Sequence, residues 1–366
     1  MVFRVSFFRD FDKILSIILL TILVFGLIAL FSASYQRHID TGKDFVLTQG
    51  IGILIGLAVV YLIARTNYHS FLSVAYIIYG IHIFTLILVL VMGKSALGAQ
   101  RWISIGGIGI QPSEFSKIFT ILALARMIGD NPHCLQSKRG LIGPFLIAFV
   151  PMLLIFKQPD LGTAIVILPV FLAMVWVGGV RFKYFLVAIG SGLMCLPFFW
   201  HFLKDYQRDR LMVFINPNVD PLGAGYTINQ SKIAIGSGML LGKGWLSGTQ
   251  NQLNFLPERH TDFIFSVVGE EWGFVGSAIV IGFFLLLIIR GIKMAEMTNN
   301  LSGKLIIVGI TTMLALHVII NIGMTLGLMP VVGIPLPFIS YGRSALTANL
   351  IAIGFLFNVK IHRTVF

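Results

Sequence analysis

Charge is what this chain has least of. Only 11% of its 366 residues are Asp, Glu, Lys or Arg, and acids are the scarcer half, 15 against 27 bases. With 57% hydrophobic residues and a mean hydropathy of +0.90, a soluble domain of this length is excluded, because its surface could not be covered. Cysteine is nearly absent. Cys134 and Cys195 fall in different predicted elements, which leaves no disulfide framework and no thiolate metal site. The net charge of +12 comes without a basic tract or a basic soluble domain, so nucleic acid is excluded as a partner. No G-x-x-x-x-G-K, no G-x-S-x-G and no zinc-ligand spacing occurs. No period of repeat-protein length and no low-complexity tract occurs either.

What the chain does have is long apolar runs. A transmembrane helix needs roughly 20 mostly apolar residues. Ten candidate runs lie near 14–32, 46–64, 71–92, 113–128, 141–156, 164–180, 184–203, 263–289, 304–326 and 344–358. The expectation is an all-α polytopic membrane protein forming a single domain over 1–366, with about ten spans. The first run exceeds the usual signal-peptide core and reads as an uncleaved helix. With the N-terminus inside, the short inner segments carry thirteen Lys and Arg, among them Arg4, Arg9, Lys13, Lys360 and Arg363. The short outer loops carry six: Arg37, Lys43, Lys94, Arg101, Lys157 and Arg343. That bias puts both termini in the cytoplasm.

One connection, about 204–262 between spans 7 and 8, is far longer than the rest. It carries Leu211, Phe214, Ile235, Trp245 and Phe255 among many apolar residues, so it is expected to be partly folded onto the bundle on the extracytoplasmic side. Its end, Pro257-Glu-Arg-His-Thr-Asp-Phe-Ile-Phe265, sets a polar cluster with Glu258, Arg259, His260 and Asp262 against the next apolar run. Ionisable groups at that boundary are costly unless paired or used. Further polar groups cluster at Glu114 and Lys117, at Lys157 and Asp160, at Arg208 and Arg210, and at Lys243. Singly, each reads as an ion pair or a solvated run. Together they set several cations and one or two carboxylates beside hydrocarbon, as a lipid diphosphate requires. Glu270 and Glu271 lie within the eighth run, where at least one should face the interior. His317 and Asn321, four apart in the ninth, read as interhelical hydrogen bonds.

The ordered motifs Gly98-Ala-Gln-Arg-Trp102, Gln111-Pro-Ser-Glu114, Gln158-Pro-Asp-Leu-Gly-Thr163, Asp205-Tyr-Gln-Arg208, Gly242-Lys-Gly-Trp245, Phe255-Leu-Pro-Glu-Arg-His-Thr-Asp-Phe263 and Ser340-Tyr-Gly342 run through nearly the whole chain. On them it resembles the SEDS family (shape, elongation, division and sporulation), most closely its rod-shape branch. The resemblance implies a peptidoglycan glycosyltransferase of the bacterial cytoplasmic membrane that polymerises lipid II on the outer face, for elongation and cell shape. It implies a class B penicillin-binding transpeptidase packed on spans 8 and 9, and an essential role for Asp262. Arg343 departs from the pattern, standing where the family usually has glycine.

Inverting an α-linked donor into a β-1,4 link needs a base for the acceptor hydroxyl and cations for the departing diphosphate. Asp262 is the candidate base, or else orients a divalent ion such as magnesium or manganese; no other cofactor is expected. Arg208, Arg210, Lys243, Arg259 and Lys117 are candidates for the phosphates, with Arg101, Glu114, Lys157, Asp160, Glu258 and His260 as further substrate-binding candidates. A lipid II flippase and a non-catalytic scaffold for the transpeptidase are the alternatives.

Overall fold

The computed structural model describes residues 11–96, 99–105, 108–187, 190, 192, 194, 201, 203–216, 220 and 223–362. Most of the predicted seventh run, with Cys195 and Trp200, lies outside the described residues, as do Arg4, Arg9 and Arg363. The helices are α1 Lys13–Thr41, α2 Phe45–Arg65, α3 Tyr68–Ser73, α4 Ala75–Met92, α5 Pro112–Asp130, α6 Ile142–Lys157 and α7 Leu161–Val177. After them come α8 Asp205–Ile215, α9 Ala224–Ser237, α10 Thr249–Gln252, α11 Ile264–Glu296, α12 Leu301–Thr325 and α13 Arg343–His362. Six of these, α1, α2, α4, α11, α12 and α13, are long and apolar enough to cross a membrane, while α6 and α7 are apolar but shorter. The chain is a polytopic helical membrane protein.

Local chemistry sets the helix starts. Asp12 and Asp44 accept the Leu15 and Leu47 amides and so cap α1 and α2. Pro112 opens α5, where a missing N–H is no loss. Packing follows from size. α12 lies against α5, α7, α9, α11 and α13. It and α13 are the most enclosed spans, with 67% and 78% of their apolar windows buried against 22% for α4 and α11. Helices in lipid associate through close contact, which small residues permit. A Cβ on Gly56 would meet Leu350, and one on Gly354 would meet Ile63 and Val60, so α2 and α13 touch nearly backbone to backbone.

Three features depart from the sequence reading. The 113–128 run does form α5, but Glu114, Lys117, Arg126 and Asp130 make it polar, and it spends its apolar face inside the bundle. Between α4 and α5 the fold is not purely helical: β1 Lys94–Ala96, β2 Ala99–Ile105 and β3 Ile108–Ile110 form a small antiparallel sheet in the order β1-β2-β3. The 263–289 run is longer, reaching Glu296, and is broken at Gly273, whose φ of 63° leaves the helical region.

That break would strand backbone groups, which lipid cannot satisfy. The segment 239–244 supplies the partners. Lys243 and Gly244 donate to the carbonyls of Glu270 and Glu271 (3.0 Å each), while Phe274 and Val275 donate to Met239 and Leu240 (2.8 and 3.1 Å). The approach is so close that a Cβ on Gly273 would stand 2.4 Å from the Gly242 nitrogen. The long connection is therefore no loose loop: α8, α9 and α10 fold within it, and its middle is stitched into α11.

Candidate functional site

The turn that carries Asp262 is built locally and fastened from afar. Glu258 takes a left-handed φ of 47°, and its carbonyl accepts the amides of Thr261, Asp262 and Phe263 (3.2, 3.1 and 3.3 Å). Asn321 of α12 then donates to the carbonyls of both Asp262 (2.9 Å) and Ile334 (2.8 Å). Ser340 Oγ donates to Thr261 O at 2.5 Å, and the Tyr341 amide donates to His260 O at 2.9 Å. α12 and the connection that follows it thus hold three consecutive residues of the turn by their main chain.

Its side chain is left without such fasteners. No ion pair among the described residues includes Asp262. Burial pushes the carboxyl up to about 6; Glu258 adds to the rise, Arg210 and Arg101 oppose it, and Asp160 adds again. Those four groups are its electrostatic surroundings. Gly333 faces it, where a Cβ would come within 3.4 Å of Oδ2.

The two arginines are positioned by carbonyls rather than carboxylates. Arg101, on β2, donates through Nη2 to Pro159 O and through Nε to Gln158 O (3.4 Å), and its Nη1 lies 3.9 Å from Asp160. Arg210, on α8, donates to Val331 O at 3.2 Å and packs 5.7 Å from the Tyr206 ring, whose hydroxyl donates to Pro159 O. Arg101, Pro159, Tyr206, Arg210, Val331 and Val332 line a narrow cleft of about 30 Å³, and Gly333 follows the last of them in the chain. Two cations stand on its walls, and the Asp262 carboxylate faces Gly333, next in the chain to Val332, a charge arrangement that suits a phosphate group with a proton acceptor nearby.

The remaining predicted residues divide among other tasks. Asp160 caps α7 through the Thr163 amide (3.4 Å) and accepts Ser113 Oγ (2.9 Å) and Gln111 Nε2 (3.1 Å), so it mainly holds α5 to α7. Glu114 and Lys117 pair at 2.8 Å in the interior, and Lys117 Nζ donates to His317 Nε2 at 3.1 Å. His317 and Asn321 therefore share one face of α12, the first touching Lys117 and the second the Asp262 carbonyl. Lys243 pairs with the buried Glu270 at 2.8 Å, and Glu270 also accepts the amides of Gln250 and Asn251. Glu271 accepts Ser32 Oγ and Asn251 Nδ2, so both glutamates face inward. Arg208 pairs with Asp205 on its own helix at 3.6 Å, and Lys157 is exposed at the end of α6. Arg259 and His260 turn away from Asp262 towards α1 and α2. Among the described residues no three His, Cys, Asp or Glu side chains converge on a metal-sized space.

Asn321 and Ser340 are anchors that residue patterns alone did not assign to the turn. The Ser340-Tyr-Gly342 motif is the visible signal for Ser340, whereas Asn321, expected to make an interhelical hydrogen bond, donates instead to the carbonyls of Asp262 and Ile334.

The comparisons agree with this architecture. The FtsW/RodA/SpoVE family model, described as "Cell cycle protein", matches residues 12–365. The peptidoglycan glycosyltransferase MrdB of Escherichia coli (strain K12) is 41% identical over 354 residues, covering 96% of this chain and 94% of that protein. A solved peptidoglycan synthase complex, described as structurally coordinating polymerization and crosslinking, contains a chain that superposes with a TM-score of 0.82 at 31% identity, over 96% of this chain and 97% of its own. The Thermus thermophilus rod shape determining protein RodA superposes with a TM-score of 0.72 at 30% identity, over 96% and 97%. The chain belongs to the FtsW/RodA/SpoVE family.

Proposed function

We propose that the chain is a peptidoglycan glycosyltransferase that polymerises lipid II into β-1,4-linked strands on the outer face of the bacterial cytoplasmic membrane. Both termini lie inside, about ten spans cross, and the 204–262 connection lies outside. The observation that carries this reading is a carboxyl at 262 that forms no ion pair among the described residues and is raised to about 6, with Arg101 and Arg210 as the cations that act on it. The name and near-full-length similarity of the E. coli relative support it independently.

The chemistry follows from the charges. The acceptor's 4-hydroxyl oxygen attacks C1 of the donor sugar, Asp262 takes the hydroxyl proton, and the C1–O bond breaks with its electron pair leaving on the diphosphate. A base with a pKa near the working pH suits this task. Arg101 and Arg210 hold the departing diphosphate by charge-assisted hydrogen bonds. Asp262 and Glu258 are the side chains that would hold a divalent ion, since magnesium is usually bound by one or two carboxylates plus substrate phosphates. Bound there, it would neutralise phosphate charge. The exposed apolar face of α11, with Phe274, Ile281, Leu285 and Ile292, suits the membrane anchor of a class B transpeptidase, reaching across to Ile319 of α12.

The decisive measurement is glycan-strand formation by the purified chain on defined lipid II, with and without the transpeptidase and magnesium. Wild-type protein makes strands and Asp262→Asn does not. Strands from a folded Asp262→Asn protein at the wild-type rate would refute the assignment, and lipid translocation without strands would favour a flippase.

A further inference from the structure

The turn has a second face. Arg259 is buried, 7% exposed, and donates through Nε to Ala33 O of α1 at 2.9 Å. His260, also buried, meets Arg37 Nη1 at 3.2 Å; an arginine only donates, so Nε2 accepts and the ring proton sits on Nδ1. The Arg37 guanidinium lies 5.7 Å from the Phe45 ring, and Phe45 packs on both His260 and Tyr341 at 5.1 Å. Arg37 itself is exposed, so the group opens outward at that corner.

This cluster lacks a counter-charge. Among the described residues neither Arg37 nor Arg259 forms an ion pair. The carboxylates nearest in effect, Asp40 for Arg259 and Glu258 for His260, act only at a distance. A buried guanidinium without an anion is costly. Two fixed positive charges therefore sit side by side over an aromatic wall, waiting for a doubly anionic group.

We propose that Arg37, Arg259 and His260, walled by Phe45 and Tyr341, form a second diphosphate site that holds the head of the acceptor lipid. The inference rests on the glycosyl-transfer reading above. Two lipid diphosphates must be held at once in such a reaction. The donor's is the leaving group, so it belongs beside Asp262, with Arg101 and Arg210. The acceptor reacts through the far end of its disaccharide, so its diphosphate must stand one disaccharide away from the base. Arg259 and Asp262 are three residues apart, at most roughly 11 Å along the chain, and they meet different elements, Arg259 the Ala33 carbonyl of α1 and Asp262 the Gly333 backbone. From Phe45 a row of exposed apolar residues, Leu47, Ile51, Leu54 and Ile55, runs down one side of α2 and offers the prenyl tail a path into the bilayer.

The test uses the full-length protein in phosphatidylcholine nanodiscs, with undecaprenyl diphosphate as probe and native mass spectrometry as readout. Wild type binds two copies, and Arg37→Gln, a change at an exposed side chain checked for an unaltered melting temperature, binds one. Phosphatidylglycerol fails to displace the second copy. In strand synthesis Arg37→Gln raises the half-saturating lipid II concentration about tenfold, the loss of one charge-assisted hydrogen bond, with kcat kept, and Arg37→Lys restores part of it. Arg259→Gln gives the same split if it folds. Two copies still bound to Arg37→Gln with unchanged lipid II dependence would overturn the proposal, as would equal displacement by phosphatidylglycerol. Absence of strand synthesis by wild type would instead overturn the glycosyltransferase reading, and the binding count would stand apart from it.

Discussion

Two aspartates at opposite ends of the bundle show how differently one side chain is treated. Asp12 caps α1, accepts Arg290 through Nε and Nη2 at 2.8 Å each and Lys360 at 2.6 Å, and so ties α1 to α11 and α13. Burial alone would raise its carboxyl, but the Leu15 amide, Lys360 and Arg290 outweigh it and hold it below the ordinary value. Asp262 is fastened only by its backbone, its cations stand off, and its carboxyl is raised to about 6. A carboxylate saturated with partners is a fastener, whereas one kept short of them is available for protons or ligands.

Exchanging each for an uncharged residue should separate the two roles. Asp262→Asn is expected to lower strand synthesis by about 10²–10⁴-fold, the usual span for a lost general base, while the melting temperature holds or rises. Asp12→Ala should do the reverse. It strands two cations and removes a cap, and because Arg290 and Lys360 keep some access to solvent the cost falls near the low end for a broken buried pair, about 3 kcal/mol. Thermal unfolding in detergent measures it, and turnover per folded molecule should be unchanged. A large stability loss in Asp262→Asn would erase the contrast.

Much of this contrast is legible in the sequence, and the rest is hidden for physical reasons. Asp262 stood out because a polar cluster met an apolar run, a local signal. Its anchors did not, since Asn321 and Ser340 lie 59 and 79 residues from the atoms they hold. The runs 46–64, 304–326 and 344–358 lie within a few residues of α2, α12 and α13, whereas 14–32 stops short of Thr41, where α1 ends, and 71–92 straddles α3 and α4. The break at Gly273 was hidden because its partners are backbone groups of 239–244, which no side-chain pattern encodes. Arg208 and Arg210 were grouped by proximity in sequence, yet at about 100° per residue two positions apart on a helix face nearly opposite ways. One turns to Asp205 and the other to the cleft.

Titration should sharpen the comparison further. If Asp262 is the base, kcat/KM rises with pH and levels off above about 6. Stability linked to the two groups has opposite signs. Asp262, raised in the folded state, costs stability as pH climbs from about 4, the unfolded value, to about 6, and the cost persists above. Asp12, depressed when folded, contributes stability that is present above about 4 and is lost as pH falls through its lower folded value. Melting curves of Asp262→Asn and wild type should therefore diverge between about pH 4 and 6, whereas those of Asp12→Asn and wild type should keep a constant gap above about pH 4 and close it as pH falls below. Parallel curves would mean that Asp262 ionises as freely as any surface aspartate.

The smallest effect is expected at Arg343, although it shares a helix with Lys360. α13 carries Lys360 at the end that grips Asp12 and Arg343 as its first residue, next to the segment that holds the Asp262 turn. Arg343 is exposed, and among the described residues it forms no ion pair. A cation at a helix N-terminus opposes the helix dipole by a few tenths of a kcal/mol, so Arg343→Gln should change stability by less than about 0.5 kcal/mol, within the usual range for a surface change. Lys360→Gln should cost about 1–2 kcal/mol, because it loosens a charge-assisted bond to a buried carboxylate. Strand synthesis should be unaltered by Arg343→Gln, since the cations that face Asp262 are Arg101 and Arg210. A tenfold fall in synthesis with unchanged melting would place Arg343 among the substrate's partners, and the Asp262 end would then hold its ligand with three arginines rather than two.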